Sequence, residues 1–442
     1  MDDPSPTKTE AASPKAKAQP KAKPAAPTAP KPTKRARKQI PAALKAIVGL
    51  VIVALVFLVA AVLGGGDSNM DSGKPAPVSA PPKASKEKQT PTAEAAEKLG
   101  YPSFATNNTT RVGGSDPAST AAGVALAVFP SATVAQRPAA VAIVDEGQWQ
   151  GAVAAAVLMA TPVQAPLLIS AGGDLPDPTS QALEALDPQG SADTNGAQAF
   201  AIGDAAVPEG LKVTQVKGTE PAALAAAIAT QRDKLFDGPP QHIVIASENE
   251  PGLAMPAAAW AARSGDPVLF SGAKKLPAAT LQALKRHPKV PVYVLGPSSA
   301  ISSQVVREVS KVDKTVRRVS GEDPVENAIA LARYGSGDFG WNVNDPGHGF
   351  VVARSDSPLD AGVSAPLSAS GTWGPLLLTD DADTLPKALR EYMLDVKPGY
   401  TTDPTRAFYN HVWVIGDQEA IDVNQQAEID QIAELAKIGG EE

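Results

Sequence analysis

The sequence predicts an α/β protein, with three tandem, pseudo-repeated parallel-sheet modules behind one transmembrane helix. Two patterns predict the modules. A proline-led apolar run recurs at Pro166–Ser170, Pro267–Ser271 and Pro375–Thr379, followed each time by a Leu-Pro pair at Leu175-Pro176, Leu276-Pro277 and Leu385-Pro386. Farther on, each copy has an apolar run ending in glycine, at Gly203, Gly296 and Gly416. A third pattern, eighteen uncharged apolar residues from Ala46 to Leu63, predicts the membrane span. A repeat of about 100 residues has the size of a domain, not of a solenoid unit.

The first element is a tail. Residues 1–39 are Pro, Ala, Lys and Thr with almost no large apolar side chain, so nothing there offsets the entropy of folding, and a disordered cytoplasmic segment is expected. The next is the transmembrane helix, placed at 40–66: at 1.5 Å per residue its apolar run spans about 27 Å, close to the roughly 30 Å of a hydrocarbon core. Lys34, Arg35, Arg37 and Lys38 precede it, while Asp67 and Asp71 follow. The positive-inside rule then puts the N-terminus in the cytoplasm and the modules outside the cell membrane. Residues 67–107, rich in Gly, Pro, Ser and Lys, read as an extended linker.

The modules are expected at 108–215, 216–317 and 318–442. Each opens on a helix-start signal: Gly114 with Asp116 and Pro117, Gly218 with Glu220 and Pro221, Gly321 with Asp323 and Pro324. The acidic side chain accepts unpaired N–H groups at the helix start, and proline fits the first turn, where its missing N–H costs nothing. These residues are assigned structural roles. The glycines at 114, 218 and 321 are 104 and 103 residues apart. Next come buried strands at Ala140–Val144, His242–Ala246 and Phe350–Ala353, then Ala-rich helices, the proline-led strand, another helix, the glycine-ended strand and a last strand. Continuous apolar runs alternating with helices indicate parallel strands covered on both faces, a doubly wound arrangement of the Rossmann or Toprim kind.

At these residues the chain resembles the cell-wall-binding repeat 2 family of surface proteins, mostly from Gram-positive bacteria. Arg111, Gly114, Asp116, Thr120 and Ala121 match the family's Arg-x-x-Gly-x-Asp-Arg opening with its Thr-Ala, and Arg318, Gly321 and Asp323 match it again. Asp360-Ala361 with Pro366-Leu367 matches its helix start. The resemblance covers about 108–435. It implies non-catalytic modules, three per protein around a pseudo-threefold axis, holding an anionic wall polymer. The departures are Pro117, Pro221 and Pro324 in place of the second arginine, and Gly151 and Gly252 in place of the helix-start aspartate.

Composition bounds the chemistry. There is no cysteine, hence no disulfide, thiolate metal site or lipoprotein anchor. Residues 1–45 carry eleven basic and three acidic residues, leaving 29 basic against 44 acidic beyond them. Nucleic acid is therefore not an expected partner of the outer part. Ligands of doubly wound sheets sit beyond the carboxyl ends of the strands. The candidate binding residues are accordingly Trp149, Asn249, Glu250, Arg354 and Asp360 near those ends, with Arg111 and Arg318 at module junctions. The Asp380-Asp381-x-Asp383 run lacks the glycine and distal glutamate of a calcium loop. Neither a Gly-x-Ser-x-Gly elbow at a strand–helix turn nor a His-Glu-x-x-His motif occurs. The expectation is a membrane-anchored envelope protein, not an enzyme, without cofactor or metal. Its modules would bind cell-wall polymer or scaffold another envelope protein. The alternative is an amidase-like envelope hydrolase with a site on its loops.

Overall fold

The computed structural model describes residues 104–371 and 373–438. The expected tail, the expected span and nearly all of the linker lie outside those residues. Among the described residues, no helix is long and apolar enough to cross a membrane.

The described chain begins with β1 (Phe104–Ala105), β2 (Thr109–Val112) and helix α1 (Pro117–Val128). Then come β3 (Val141–Asp145), α2 (Trp149–Ala155), β4 (Leu167–Ser170), α3 (Asp177–Leu186), β5 (Ala199–Ile202) and β6 (Val213–Val216). The second copy runs α4 (Pro221–Leu235), β7 (Ile243–Ser247), α5 (Pro251–Ala254), α6 (Pro256–Ser264), β8 (Val268–Ser271), α7 (Ala278–Arg286), β9 (Val292–Leu295), α8 (Ser303–Val309) and β10 (Val316–Val319). The third begins with α9 (Pro324–Arg333), β11 (Gly349–Arg354), α10 (Leu359–Ala369), β12 (Leu376–Thr379) and α11 (Lys387–Asp395). It ends with β13 (Gly399–Tyr400), β14 (His411–Ile415), α12 (Val423–Ala433) and β15 (Ala436–Lys437).

These strands form a mixed α/β structure with three large parallel sheets and a small two-stranded parallel one, β13-β15. The first has the order β4-β3-β5-β6 and the second β8-β7-β9-β10. The third has the same arrangement, β12-β11-β14, but its fourth parallel strand is β2. Thr109, Thr110, Arg111 and Val112 pair with Val412, Trp413, Val414 and Ile415. Residues 109–112, expected within the first repeat, thus complete the sheet of the last. β1 adds an antiparallel strand outside β2.

The pattern of side chains follows from this layering. β4, β5, β8, β9 and β12 are buried at every position, as a strand covered on both faces requires. The edge strands β6 (VTQV) and β10 (VRRV) carry polar residues and are only partly covered. At the centre, the Ala-rich helix α10 packs against α1, α2 and α6, and α6 against the turn at residues 156–159. Alanine lets these helices approach closely. At Gly362 the approach is closest, since a Cβ there would lie 2.4 Å from the Ala152 carbonyl oxygen.

Candidate functional site

The loops after β3, β7 and β11 adjoin one another at the carboxyl ends of the strands. Gln150 Nε2, from the first, donates to the Glu248 carbonyl in the second at 3.1 Å. Gly252 lies against the third copy, where an added Cβ would stand 2.8 Å from Pro324 Cγ and 3.2 Å from the Ser355 carbonyl oxygen. Below this rim lie the central helices. Asp360, in the first turn of α10, is buried there, and its carboxyl is pushed up to about 7, first by burial and then by nearby Asp356. The corresponding positions in the other copies, Gly151 and Gly252, carry no charge. Glu248, half-buried, is also raised above the usual carboxylate range, by burial and then by Glu220.

The candidates fare differently. Asn249 and Glu250 are exposed on the rim. Arg354 is turned onto its own loop, with Nε at 3.1 Å and Nη2 at 2.8 Å from the two Asp356 carboxylate oxygens. That pairing holds the Asp356 carboxyl below its usual range. Trp149 is half-buried, with its ring edge-on to Phe270 of the second sheet at 5.8 Å. This contact joins two copies.

Arg111 and Arg318 are turned onto backbone carbonyls. Arg111 is 1% exposed, and its guanidinium donates to the carbonyls of Gly416, Asp417 and Ile421 and to Gln426 Oε1. Arg318 donates to the carbonyls of Gly296 and Ile301. In each case the acceptors are the glycine ending the neighbouring strand and the isoleucine five residues on. Carbonyl oxygens left without a helical or ladder partner would otherwise be costly there. Burial lowers both arginine pKa values. These contacts clamp the turn that follows a strand. The equivalent residue on β6 is Gln215.

The helix-start residues stand at helix starts. α1, α4 and α9 begin at Pro117, Pro221 and Pro324. Asp116 accepts the Ser119 N–H at 2.9 Å and Asp323 accepts the Glu326 N–H at 2.8 Å, while Glu220 makes no side-chain cap. Glutamate carries one methylene more and is a poorer cap than aspartate. At Gly321 a Cβ would lie 2.2 Å from the Glu326 carbonyl carbon, and at Gly218 it would lie 2.4 Å from the Leu224 backbone. Gly114 accepts a long bond from Thr120 Oγ1 at 3.4 Å.

Two histidines have carboxylate partners: His242 Nδ1 lies 3.1 Å from Asp266, and His287 Nε2 lies 2.8 Å from Asp233. Asp381 accepts the N–H groups of Asp383 and Thr384, so this carboxylate is spent on its own turn. Among the described residues, no group of three or more His, Asp or Glu is placed to hold a metal ion.

Residues 215–306 and 318–425 match the family model of cell wall binding domain 2, CWB2. Two stretches of this chain thus match the CWB2 model. Both CWB2 matches open on an edge strand, at Gln215 and at Arg318, where the clamp position lies. Residues 108–214 lie outside the matches, although their strands keep the sheet order of the CWB2 repeats. The fold is similar to that of Cwp6 from Clostridium difficile, with a TM-score of 0.57, 19% identity, and 74% of this chain covered against 47% of that one. Cwp8 from Clostridium difficile is similar at a TM-score of 0.55 and 21% identity, with 74% and 52% covered. The chain thus spans about half the length of these structures. No curated protein sequence matches it.

Sequence reasoning missed one feature. Trp260, Trp341 and Trp373, three of the five tryptophans, line a single cleft away from the rim. The available signal was their scarcity: in a chain with 5% aromatics, each tryptophan warrants a search for its neighbours.

Proposed function

We propose that this protein is a non-catalytic envelope protein that binds the cell wall through its CWB2 repeats. The match of residues 215–306 and 318–425 to the cell wall binding domain carries this reading. The three sheets of common strand order support three doubly wound, Rossmann- or Toprim-like modules, at 108–215, 216–317 and 318–442 with β2 lent to the third. The apolar run from Ala46 to Leu63 and its basic N-terminal flank support a single-pass anchor with the repeats outside the cell.

The binding surface is the rim around Asn249, Glu250, Arg354 and Asp356, over buried Asp360. Its chemistry suits hydrogen bonding to hydroxyl and amide groups. Two of the three arginines expected to attract an anionic polymer are spent on carbonyl oxygens, and the third is paired with a carboxylate. With 44 acidic against 29 basic residues beyond position 45, long-range attraction to a polyanion is weak.

The test is sedimentation of the purified full chain, in detergent, with wall that carries its anionic polymer and with wall stripped of it. Binding to both, little changed by salt, is the expected result. Binding confined to polymer-bearing wall and abolished by salt would mean charge recognition, and no binding to either would remove the wall-binding reading.

A further inference from the structure

We propose that a cleft at the amino edge of the second sheet binds a neutral sugar ring, at a site separate from the rim. The cleft has a volume of about 450 Å³ and is lined by Gln241, Trp260, Arg263, Asp338, Trp341 and Trp373, among others. That is the size of pocket that takes a small ligand.

Two parts of the chain build most of it, and Trp373, just before β12, completes it. One is the second copy, with Gln241 just before β7 and with Trp260 and Arg263 on α6. The other is the third copy's segment 334–348, which crosses onto the second sheet. Phe339 stacks on Tyr293 of β9, with ring centroids 3.5 Å apart and planes at 6°. Gly340, at φ +97°, turns the chain so that Trp341 meets the edge of Trp260 at 5.7 Å.

The floor is held rigidly. Asp266 accepts the His242 N–H at 2.9 Å and the Trp260 indole N–H at 3.0 Å, which fixes the Trp260 ring. Trp373 lies nearly parallel to Trp341, at 27° and 6.3 Å, and 39% of it is exposed. The Arg263 guanidinium stands over Trp373, 4.4 Å from its centroid.

One buried polar group of the cleft is uncommitted. The indole nitrogen of Trp341, a residue 7% exposed, has no hydrogen-bond partner among the described residues. Gln241, Arg263 and Asp338 stand at the mouth, a mixture of donors and acceptors. Apolar aromatic surface beside a few donors and acceptors complements a pyranose, whose C–H face packs on an indole while its hydroxyls bond outward. Carboxylate and guanidinium together leave no excess of positive charge, which favours a neutral ring over an anionic one.

The test titrates the purified full chain, in detergent, with maltotriose and with the trimer of N-acetylglucosamine, by calorimetry and tryptophan fluorescence. Saturable binding of at least one, little changed between low and high salt, is the expected result. Trp373→Ala and Arg263→Ala, both at exposed positions, should each weaken it about tenfold or more, which is about 1.4 kcal/mol. The proposal is overturned if neither sugar binds, or if both variants bind as the parent does. It is equally overturned if phenylalanine amide saturates the cleft and the sugars do not. Wall sedimentation of Trp373→Ala separates this site from the rim: loss of sugar binding with retained wall binding leaves both assignments standing. Loss of wall binding by the parent touches only the rim.

Discussion

Arg111 illustrates what one residue's partners decide. In the sequence it matches a family opening and is a donor of unknown object. Its acceptors at Gly416 and Ile421 lie some 300 residues away, so no local pattern reveals that the donor is satisfied internally. Arg111→Ala should lower unfolding stability by on the order of 3 kcal/mol in urea denaturation, since several buried carbonyls lose their partner together. Wall binding per folded molecule should be unchanged. Unaltered stability would contradict the clamp. Asp360 makes a second residue-level prediction. Its carboxyl keeps its proton to about pH 7 in the folded chain, against a usual 3.8. Between those values the unfolded chain binds fewer protons, so stability should fall by roughly 1.4 kcal/mol per pH unit as pH rises. Below the lower value both states hold the proton and the slope vanishes. Asp360→Asn should remove this slope, and the variant should exceed the parent in denaturation midpoint at pH 8. Parallel pH profiles would show that the carboxyl is solvated.

At the scale of elements, the helix starts were legible because capping is local: an acid, a proline and a following Ala-rich run lie within a few residues. Even so, Asp116 and Asp323 cap while Glu220 does not, a distinction of side-chain length that the common acidic signal conceals. Asp116→Ala and Asp323→Ala should each cost about 1 kcal/mol, and Glu220→Ala much less, by thermal or urea denaturation. Equal losses at all three positions would assign the effect to charge near the helix end and not to the cap. The close packing of α10 on α2 was less legible. Gly362 looks like any glycine in an Ala-rich run, and only the neighbouring helix gives it a role. Gly362→Ala drives a methyl into the Ala152 carbonyl and should cost about 1–3 kcal/mol, beyond any gain in helix propensity. A stabilised variant would mean that the two helices separate readily.

For the whole molecule, the repeating strand runs made the three sheets readable, but not which strand closes which sheet. A clue was present. Each glycine signal at 114, 218 and 321 follows a strand, and the strands before 218 and 321 finish the preceding sheet. The strand before 114 has no preceding repeat to finish, and only the third sheet lacks a fourth member. Thr110→Pro removes a ladder donor in the middle of β2. It should raise amide hydrogen exchange at residues 411–415 while leaving β3, β5, β7 and β9 protected. Uniformly faster exchange would mean that the three sheets unfold as one unit. The tryptophan cleft escaped sequence reading for a related reason, since its walls come from two copies.

The pairing of β2 with β14 also fixes an order of events. During synthesis, β2 emerges about 300 residues before its partner. The first two sheets can close in turn from strands already made, whereas β2 waits with one edge unpaired until residues 411–415 arrive. Closing so long a loop is slow more than it is destabilising, because its entropy grows only with the logarithm of length. Throughout that interval a parallel edge is open to strands of other chains, among them β14 of a second molecule whose own β2 has not yet paired. The self-paired chain and an exchanged dimer would share every backbone hydrogen bond of that sheet, and concentration at the site of folding would choose between them.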